Sequence, residues 1–346
     1  MAAHYPSATS VFIKDHAASN KMVVDFARNI RDFGVNRYTQ IVKPGKVAGY
    51  YQRMTIEEAG RIRYTNLRDF VWHDGQPAPE GNENVESFEF FPFECKRYIY
   101  PFTLGDLTVS QASWDIMAQH ASIRSRQGMT ARTQLAISQL TDTTKYAASH
   151  LLDVTTIAGN TGNWANSTTA RQDIKRSLIT AAELILDDTL GAVKPEDLMT
   201  VINSALAGDM SMCQEVVDYI KGSPEALAQV RGELPGKNVM YGLPDRLYGF
   251  PIEVESTRKV TSKKGATRAT SQILAKATPF MCARPGSLEG IAGSPNFSTC
   301  VGFAFEEMTV ETMRDANNRR STGRVVENIV YEMTAPASGV LFSAAA

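Results

Sequence analysis

The sequence predicts an α+β chain with projecting arms, on three observations. A helical period runs from Ser110 to about Leu152, strand alternation marks the last quarter, and residues 85–104 are extended, aromatic and interrupted by proline. The length of 346 residues exceeds what one hydrophobic core holds, so at least two packing units are expected.

The elements follow in order. Residues 1–49 carry seven Lys and Arg against Asp15, Asp25 and Asp32, a net charge of +4. Met22, Phe26 and Ile30 are spaced for a short helix over 19–32, and Pro44-Gly45 punctuates the chain. Arg61–Trp72 reads as a strand, and HDGQPAPEGNEN (73–84) as a loop. In 85–104, Phe88, Phe90, Phe91, Phe93, Tyr98, Tyr100 and Phe102 fall on both faces of the pleat, so both faces should touch something. Pro92 and Pro101 argue against a central strand. Such a hairpin would extend roughly 30–60 Å at ~3.3 Å per residue, against a radius of gyration of ~20 Å for a compact chain of this size. It needs a neighbour.

For the long helix, Ser110 is the expected N-cap and Gly128 a potential kink. A helix fits 172–190, with Ile174, Leu178, Ala182 and Ile185 on one face, and LMTVIN (198–203) reads as a buried strand. A helix through Gln214–Lys221 and a strand at LYGFPIEVEST (247–257) follow. Residues 258–284 hold seven Lys and Arg and no acid. Val301, Phe303 and Phe305 alternate with Gly302 and Ala304, the period of a half-buried strand. GRVVENIVYEM (323–333) is a second strand after the charged turn RDANNRRSTG (314–323).

Composition excludes several functions. Lys plus Arg number 36 and Asp plus Glu 37, so the net charge of −1 excludes a polybasic nucleic-acid binder. No apolar run approaches the ~20 residues of a membrane span, and MAAHYPSATSVFIKDH lacks the order of a secretory signal. Cys95, Cys213, Cys282 and Cys300 have no CxxC spacing and read as reduced thiols, Cys300 as core filler. The five histidines, His4, His16, His73, His120 and His150, form no metal-ligand spacing and read as surface or capping residues. Gly232–Asn238 is one residue short of a phosphate loop, with Asn where Ser or Thr should stand and Pro235 removing an amide. No GxSxG occurs, and the pairs Glu57-Glu58 and Glu306-Glu307 point to opposite faces of a strand. No catalytic, metal or cofactor residue is expected.

What remains is patterned charge. Residues 69–95 contain Asp69, Asp74, Glu80, Glu83, Glu86, Glu89 and Glu94 and no Lys or Arg, a net of −7. Arg53, Arg61, Arg63 and Arg68 precede them, and Arg314, Arg319, Arg320 and Arg324 surround the last turn. Opposite blocks on projecting elements suit head-to-tail contacts between identical subunits. The inter-subunit candidates are therefore Arg61, Arg63, Arg68, Asp74, Glu80, Glu83, Glu86, Phe88, Phe90, Arg314, Arg319, Arg320 and Arg324.

The order of parts resembles the major capsid protein of tailed bacteriophages, the HK97-like fold, over nearly the whole chain. The local pieces that carry it are GNW (162–164) leading into DIKRSLITAAELI, PEDLMTVIN (195–203), and LYGFPIEVES followed by PGSLEG. The resemblance implies an N-arm at 1–49, an E-loop hairpin at 50–108, and a peripheral domain with its spine helix at 109–160. It further implies a mixed α/β axial domain at 161–290, and peripheral strands with the C-terminus at 291–346. The implied function is a coat subunit, assembled in the host cytoplasm into hexamers and pentamers of an icosahedral virion shell around double-stranded DNA. Implied partners are further copies of itself, a portal, a separate scaffolding protein or none, cement or decoration proteins, and DNA, with no membrane and no cofactor. Lys14, Lys21, Arg28 and Arg31 would face the DNA; the 258–284 run reads as an inter-subunit or surface loop, or as a second DNA-facing segment. Some such coats cross-link through an E-loop lysine, but no lysine lies between Lys46 and Lys96 here, which implies a non-covalent shell. An encapsulin-like nanocompartment is the alternative of the same fold, and an enzyme with a mixed α/β domain the alternative from another class.

Overall fold

The computed structural model describes residues 33–54, 74–75, 88–112, 115–263, 265–287 and 298–346. The expected helix at 19–32, the expected strand at Arg61–Trp72 and most of the 73–84 loop lie outside them. The chain enters through helix α1 (Val35–Tyr38) and strands β1 (Gln40–Val42) and β2 (Ala48–Met54), then returns as β3 (Phe88–Glu94) and β4 (Lys96–Gly105). Helices α2 (Asp106–Gln111) and α3 (Ile116–Leu140), strand β5 (Leu151–Asp153) and helix α4 (Asp173–Asp188) follow. Next come β6 (Leu198–Asn203), α5 (Ser204–Met212), α6 (Gln214–Gly222), α7 (Pro224–Val230), β7 (Arg246–Leu247) and β8 (Phe250–Glu255). The remainder is strand: β9 (Arg258–Val260), β10 (Thr270–Gln272), β11 (Phe280–Ala283), β12 (Cys300–Asp315), β13 (Arg320–Met333) and β14 (Gly339–Ser343).

Two larger sheets organise these strands. One runs β1-β12-β13-β4, and the other β5-β14-β11-β6-β8-β7. The pairs β2–β3 and β9–β10 stand as separate two-stranded ribbons. Pro92 thus lies in a two-stranded ribbon and Pro101 on an edge strand, where a missing amide is tolerated. The chain's last strand, β14, joins the six-stranded sheet between β11 and β5, not the β12–β13 pair.

The long helix is shorter than its hydrophobic period suggests. Ser110 lies inside α2, where its hydroxyl donates to the Leu107 carbonyl, and the chain extends at Ala112. Asp115 is the actual N-cap, accepting from the Ala118 amide at 2.9 Å. α3 then runs 25 residues, about 37 Å at 1.5 Å per residue. It passes through Gly128 unbroken. A Cβ there would meet Met308 Cε at 2.6 Å and the Tyr100 ring at 3.2 Å, so the glycine permits close helix–sheet approach instead of a kink. Beyond Leu140 the chain breaks into short 3₁₀ turns, and Tyr146 donates its hydroxyl to the Leu140 carbonyl.

Three other segments depart from the sequence reading. LYGFPIEVEST forms the expected strand over Phe250–Glu255, but its first residues fold back as a tight hairpin: Leu247 pairs with Phe250 across Tyr248 (φ 52°) and Gly249 (φ 91°). The start of β12 is buried on both faces, because Gly302 lies under the Tyr331 ring and leaves no room for a side chain. Most of the expected turn at 314–323 is strand; only residues 316–319 separate β12 from β13. The helix at 172–190 and the buried strand at 198–203 form as expected, with Ile174, Leu178, Ala182 and Ile185 all buried. α4 is capped from a distance. Glu215 of α6 accepts the Ile174 and Lys175 amides at 3.1 and 3.0 Å and the Ser167 hydroxyl.

Two large buried clusters give the chain its two packing units. One covers the six-stranded sheet with α4, α5 and α6, and centres on Trp164, which meets Phe342 edge-on at 5.0 Å. The other lies between α3, β11, β12 and β13 and takes in Phe33, Val35 and Tyr38. A third, small cluster, Cys95, Val301 and Phe303, seats the β2–β3 ribbon. Along the first large sheet, β13 and β4 pair without interruption from Arg320↔Gly105 to Ile329↔Lys96. The β12–β13 register instead shifts between Ala304 and Thr309.

All four cysteines are free and buried. Burial pushes the Cys213 thiol up to about 11 and Cys282 to about 12. A soluble thiol reagent at neutral pH should label the native chain about 100-fold more slowly than the denatured chain, since only the exposed thiolate reacts. Rapid labelling of any cysteine under native conditions would contradict this burial.

Candidate inter-subunit interface

The tip of the β12–β13 hairpin gathers the arginines of the last turn. Three are engaged within the chain: Arg314 with Asp106 at 3.1 Å, Arg320 with Asp315 at 2.9 Å, and Arg324 with Glu311 at 2.5 Å. Hydrogen bonds from Asn318, and then Arg320, hold the Asp315 carboxyl below its usual range. Arg319 is exposed and makes no ion pair among the described residues. Its φ of 46° is a left-handed conformation that Gly or Asn adopts at lower cost.

The β2–β3 ribbon presents two unlike faces. Its inner face is an aromatic stack. Phe93 lies 4.4 Å and Tyr51 5.8 Å from Phe303, while Phe91 stacks on Tyr51 at 5.4 Å. Arg53 covers the Phe91 ring at 4.3 Å and donates to the Thr334 carbonyl at 3.1 Å. The outer face leaves Tyr50 71% and Phe90 59% exposed. Aromatics thus line both faces, but among the described residues only the inner face is covered; the contact expected on the outer face is not made within one chain. Phe88 pairs with Met54 at the end of the described ladder. Asp74, Glu89 and Glu94 are exposed, and none makes an ion pair among the described residues.

A cleft of about 640 Å³ separates this ribbon from α3 and β13, lined by Tyr50, Phe93, Lys96, Tyr98, Gln139 and Glu332 among others. Burial raises the Glu332 carboxyl, partly opposed by Lys145. The cleft assembles no nucleophile–base pair, and no metal-binding group of His, Cys, Asp and Glu occurs among the described residues.

Of the other candidates, Arg61, Arg63, Arg68, Glu80, Glu83 and Glu86, with Lys14, Lys21, Arg28 and Arg31, lie outside the described residues. The phosphate-loop lookalike binds inward: the Lys237 and Asn238 amides donate to Asp245. His150 is not a surface histidine. It is 1% exposed, with Nδ1 2.6 Å from the Gly339 carbonyl and Nε2 2.6 Å from Asp188. His120 stacks against Phe102.

Sequence reasoning missed the polar contacts between distant segments. Glu327, fully buried in β13, accepts from Arg132 of α3 at 2.5 Å and from Tyr100 of β4 at 3.1 Å. Where the chain enters, Arg37 pairs with Glu253 at 2.5 Å and Tyr38 donates to Glu255 at 2.9 Å. No sequence signal singled out the first contact, since the long helix also carries Arg124 and Arg126 and the strand also carries Arg324 and Glu332.

Neither a protein-family model nor a curated protein sequence matches this chain. Its fold does match solved structures. A protein from the capsid of cyanophage P-SCSP1u aligns over 99% of this chain and 99% of its own, with a TM-score of 0.58 at 13% identity. One from the mature capsid of bacteriophage PhiM1 aligns over 93% of this chain and 89% of its own, at a TM-score of 0.56 and 10% identity. A phage-related protein of Bordetella bronchiseptica RB50 aligns over 92% of this chain and 93% of its own, at 0.58 and 14%. The chain thus shares the fold of these phage capsid proteins.

Proposed function

We propose that this chain is the coat subunit of a closed shell, assembling with itself into hexamers and pentamers around double-stranded DNA. The observation that carries this reading is the fold similarity over 99% of the chain to a subunit of an assembled capsid. The open aromatic face of β2–β3 supports it, since large exposed apolar rings rimmed by charge mark protein contacts. In this reading 1–49 is the N-arm, 50–108 the E-loop, and 109–160 the peripheral domain with α3 as its spine. Residues 161–290 form the axial domain and 291–346 the returning strands.

The shell is held without covalent links, because the 47–95 segment has no lysine to supply an amine. Arg61, Arg63, Arg68, Asp74, Glu80, Glu83, Glu86, Phe88, Phe90 and the Arg314–Arg324 group contribute inter-subunit contacts. Arg319 carries most of the last group's share, since its three neighbours already have partners. Lys14, Lys21, Arg28 and Arg31 face DNA through salt-sensitive phosphate contacts. A portal, a separate scaffolding protein and cement proteins complete the list of partners.

The test is negative-stain microscopy of the chain expressed alone and with its neighbouring gene products. Closed megadalton particles that contain DNA, and run as a single monomer band on a denaturing gel, are expected. A monodisperse monomer or dimer under all conditions would refute the shell; particles filled with protein cargo would favour a nanocompartment, and a high-mass ladder would refute the non-covalent reading.

A further inference from the structure

The 258–284 basic run divides in two. At its base the cations are engaged: Lys276 pairs with Asp209 at 2.5 Å, and Arg284 donates to the Glu196 carbonyl. The projecting part is different. β9 and β10 pair antiparallel from Arg258↔Gln272 to Val260↔Thr270, and the Thr261 amide donates to Ala269 to continue the ladder. The finger is held where it leaves the body, by Asn203 donating to the Leu274 carbonyl, Gln272 to Ser204, and Leu274 buried in the second cluster. Its cations Arg258, Lys259, Lys263 and Arg268 make no ion pair among the described residues, and no acid occurs anywhere from 258 to 284. A rigidly mounted cationic finger without a counter-charge calls for an anionic partner.

The same chain carries the complementary surface. Glu89 and Glu94 project from β3 and are exposed and without an ion pair among the described residues, as is Asp74, in a stretch of sequence with seven acids and no Lys or Arg. No hydrogen bond or ion pair joins the finger to the β2–β3 ribbon within one chain among the described residues. The arginines of the β12–β13 tip are weaker candidates for these acids, because Asp106, Glu311 and Asp315 already engage three of them. Complementary charge on two elements that do not meet in one subunit, in a chain of near-zero net charge, fits contact between two copies in a heterologous, ring-closing arrangement.

We propose that the β9–β10 finger of one subunit docks against the acidic β2–β3 ribbon of a second copy of this chain. This rests on the shell reading and identifies one of its contacts. The finger supplies Arg258, Lys259, Lys263 and Arg268; the ribbon supplies Glu94 on the open face it shares with Phe90, and Glu89 on the opposite face of the strand.

The experiment is a charge swap on the full chain. The finger variant carries Lys259→Glu, Lys263→Glu and Arg268→Glu; the ribbon variant carries Glu89→Lys and Glu94→Lys; a third carries all five. All five positions are exposed or half-exposed, so circular dichroism and the unfolding midpoint should match the parent chain. Assembled fraction is read by sedimentation at roughly 150 mM salt, where charges within about 8 Å still interact. Each partial variant should assemble at least about tenfold less than the parent, and the five-fold variant should regain most of that loss. Unchanged assembly of the finger variant overturns the proposal, as does loss without recovery in the five-fold variant. Normal assembly with reduced DNA retention also overturns it and assigns the finger to phosphate binding. Failure of the parent chain to assemble under any condition refutes the shell reading itself, a result separable from all the others.

Discussion

Replacing Arg132 with Ala should destabilise the chain by about 3–5 kcal/mol, because it strands a carboxylate in the core. Glu327 is fully buried, and Arg132, itself under one-tenth exposed, is its only cation among the described residues; Tyr100 would remain as a single hydroxyl donor. Tyr100 cannot take over the charge. Burial and the neighbouring carboxylate raise its own ionisation well above the ordinary tyrosine value, so it stays a neutral donor. The pair also ties α3 to the middle of the β12–β13–β4 sheet, so its loss should loosen the packing of helix on sheet. Equilibrium denaturation of the unassembled chain reads the effect. The apolar double variant R132M/E327L should recover most of the loss, as replaced buried ion pairs commonly do. A single substitution costing under about 1 kcal/mol would mean that water reaches Glu327 and that the core is not sealed there.

The second large effect is expected at Phe303. Its ring receives Phe93 at 4.4 Å and Tyr51 at 5.8 Å, and these stacks seat the inner face of the β2–β3 ribbon. Phe303→Ala removes a buried aromatic at a cost of about 3–5 kcal/mol. Because the third cluster is small and lies at one side of the body, the loss should concentrate there. The ribbon should become protease-sensitive at temperatures where the two large clusters remain folded, and assembly should fail before folding does. Phe303→Leu, which keeps apolar volume without the stack, should fall between. Coincident loss of the ribbon and the body in a single transition would show that the third cluster is not a separate mount.

Much of this architecture was legible in the sequence, and the failures have identifiable causes. Periodicity located α4 and β6 because each buries a complete stripe or a complete strand, where the signal is strongest. It misplaced the start of α3 because Ser110 and Asp115 are both acceptable caps, and only the extended backbone at Ala112 decides between them. It misread 314–323 as a turn because charged residues on an exposed strand look like loop. The ladder to β13 holds them nonetheless, from Thr309↔Val326 to Asp315↔Arg320. The Gly302–Tyr331 contact and the Arg132–Glu327 pair join residues far apart in the chain, 195 positions in the second case, and no local pattern encodes them. Charge blocks could be counted from composition, but not which arginines were already satisfied. Three arginines of the β12–β13 tip are paired within the chain, whereas the cations of the β9–β10 finger make no ion pair among the described residues.

The contrast between the two ladders of β13 bears on motion. With β4 it pairs in unbroken register over ten positions, whereas β12 slips past it twice between Ala304 and Thr309. Bulges bend a strand locally and leave residues outside the ladder. The β13–β4 ladder is thus the more regular of the two, and the bulged segment of β12 is the place where the sheet can bend. In the shell proposed above, such a joint would let one subunit fit rings of different curvature. Glu327 lies directly opposite the bulge, between Asn328 and Val326, so bending at that point acts on the Arg132–Glu327 contact as well as on the aim of the Arg314–Arg324 group.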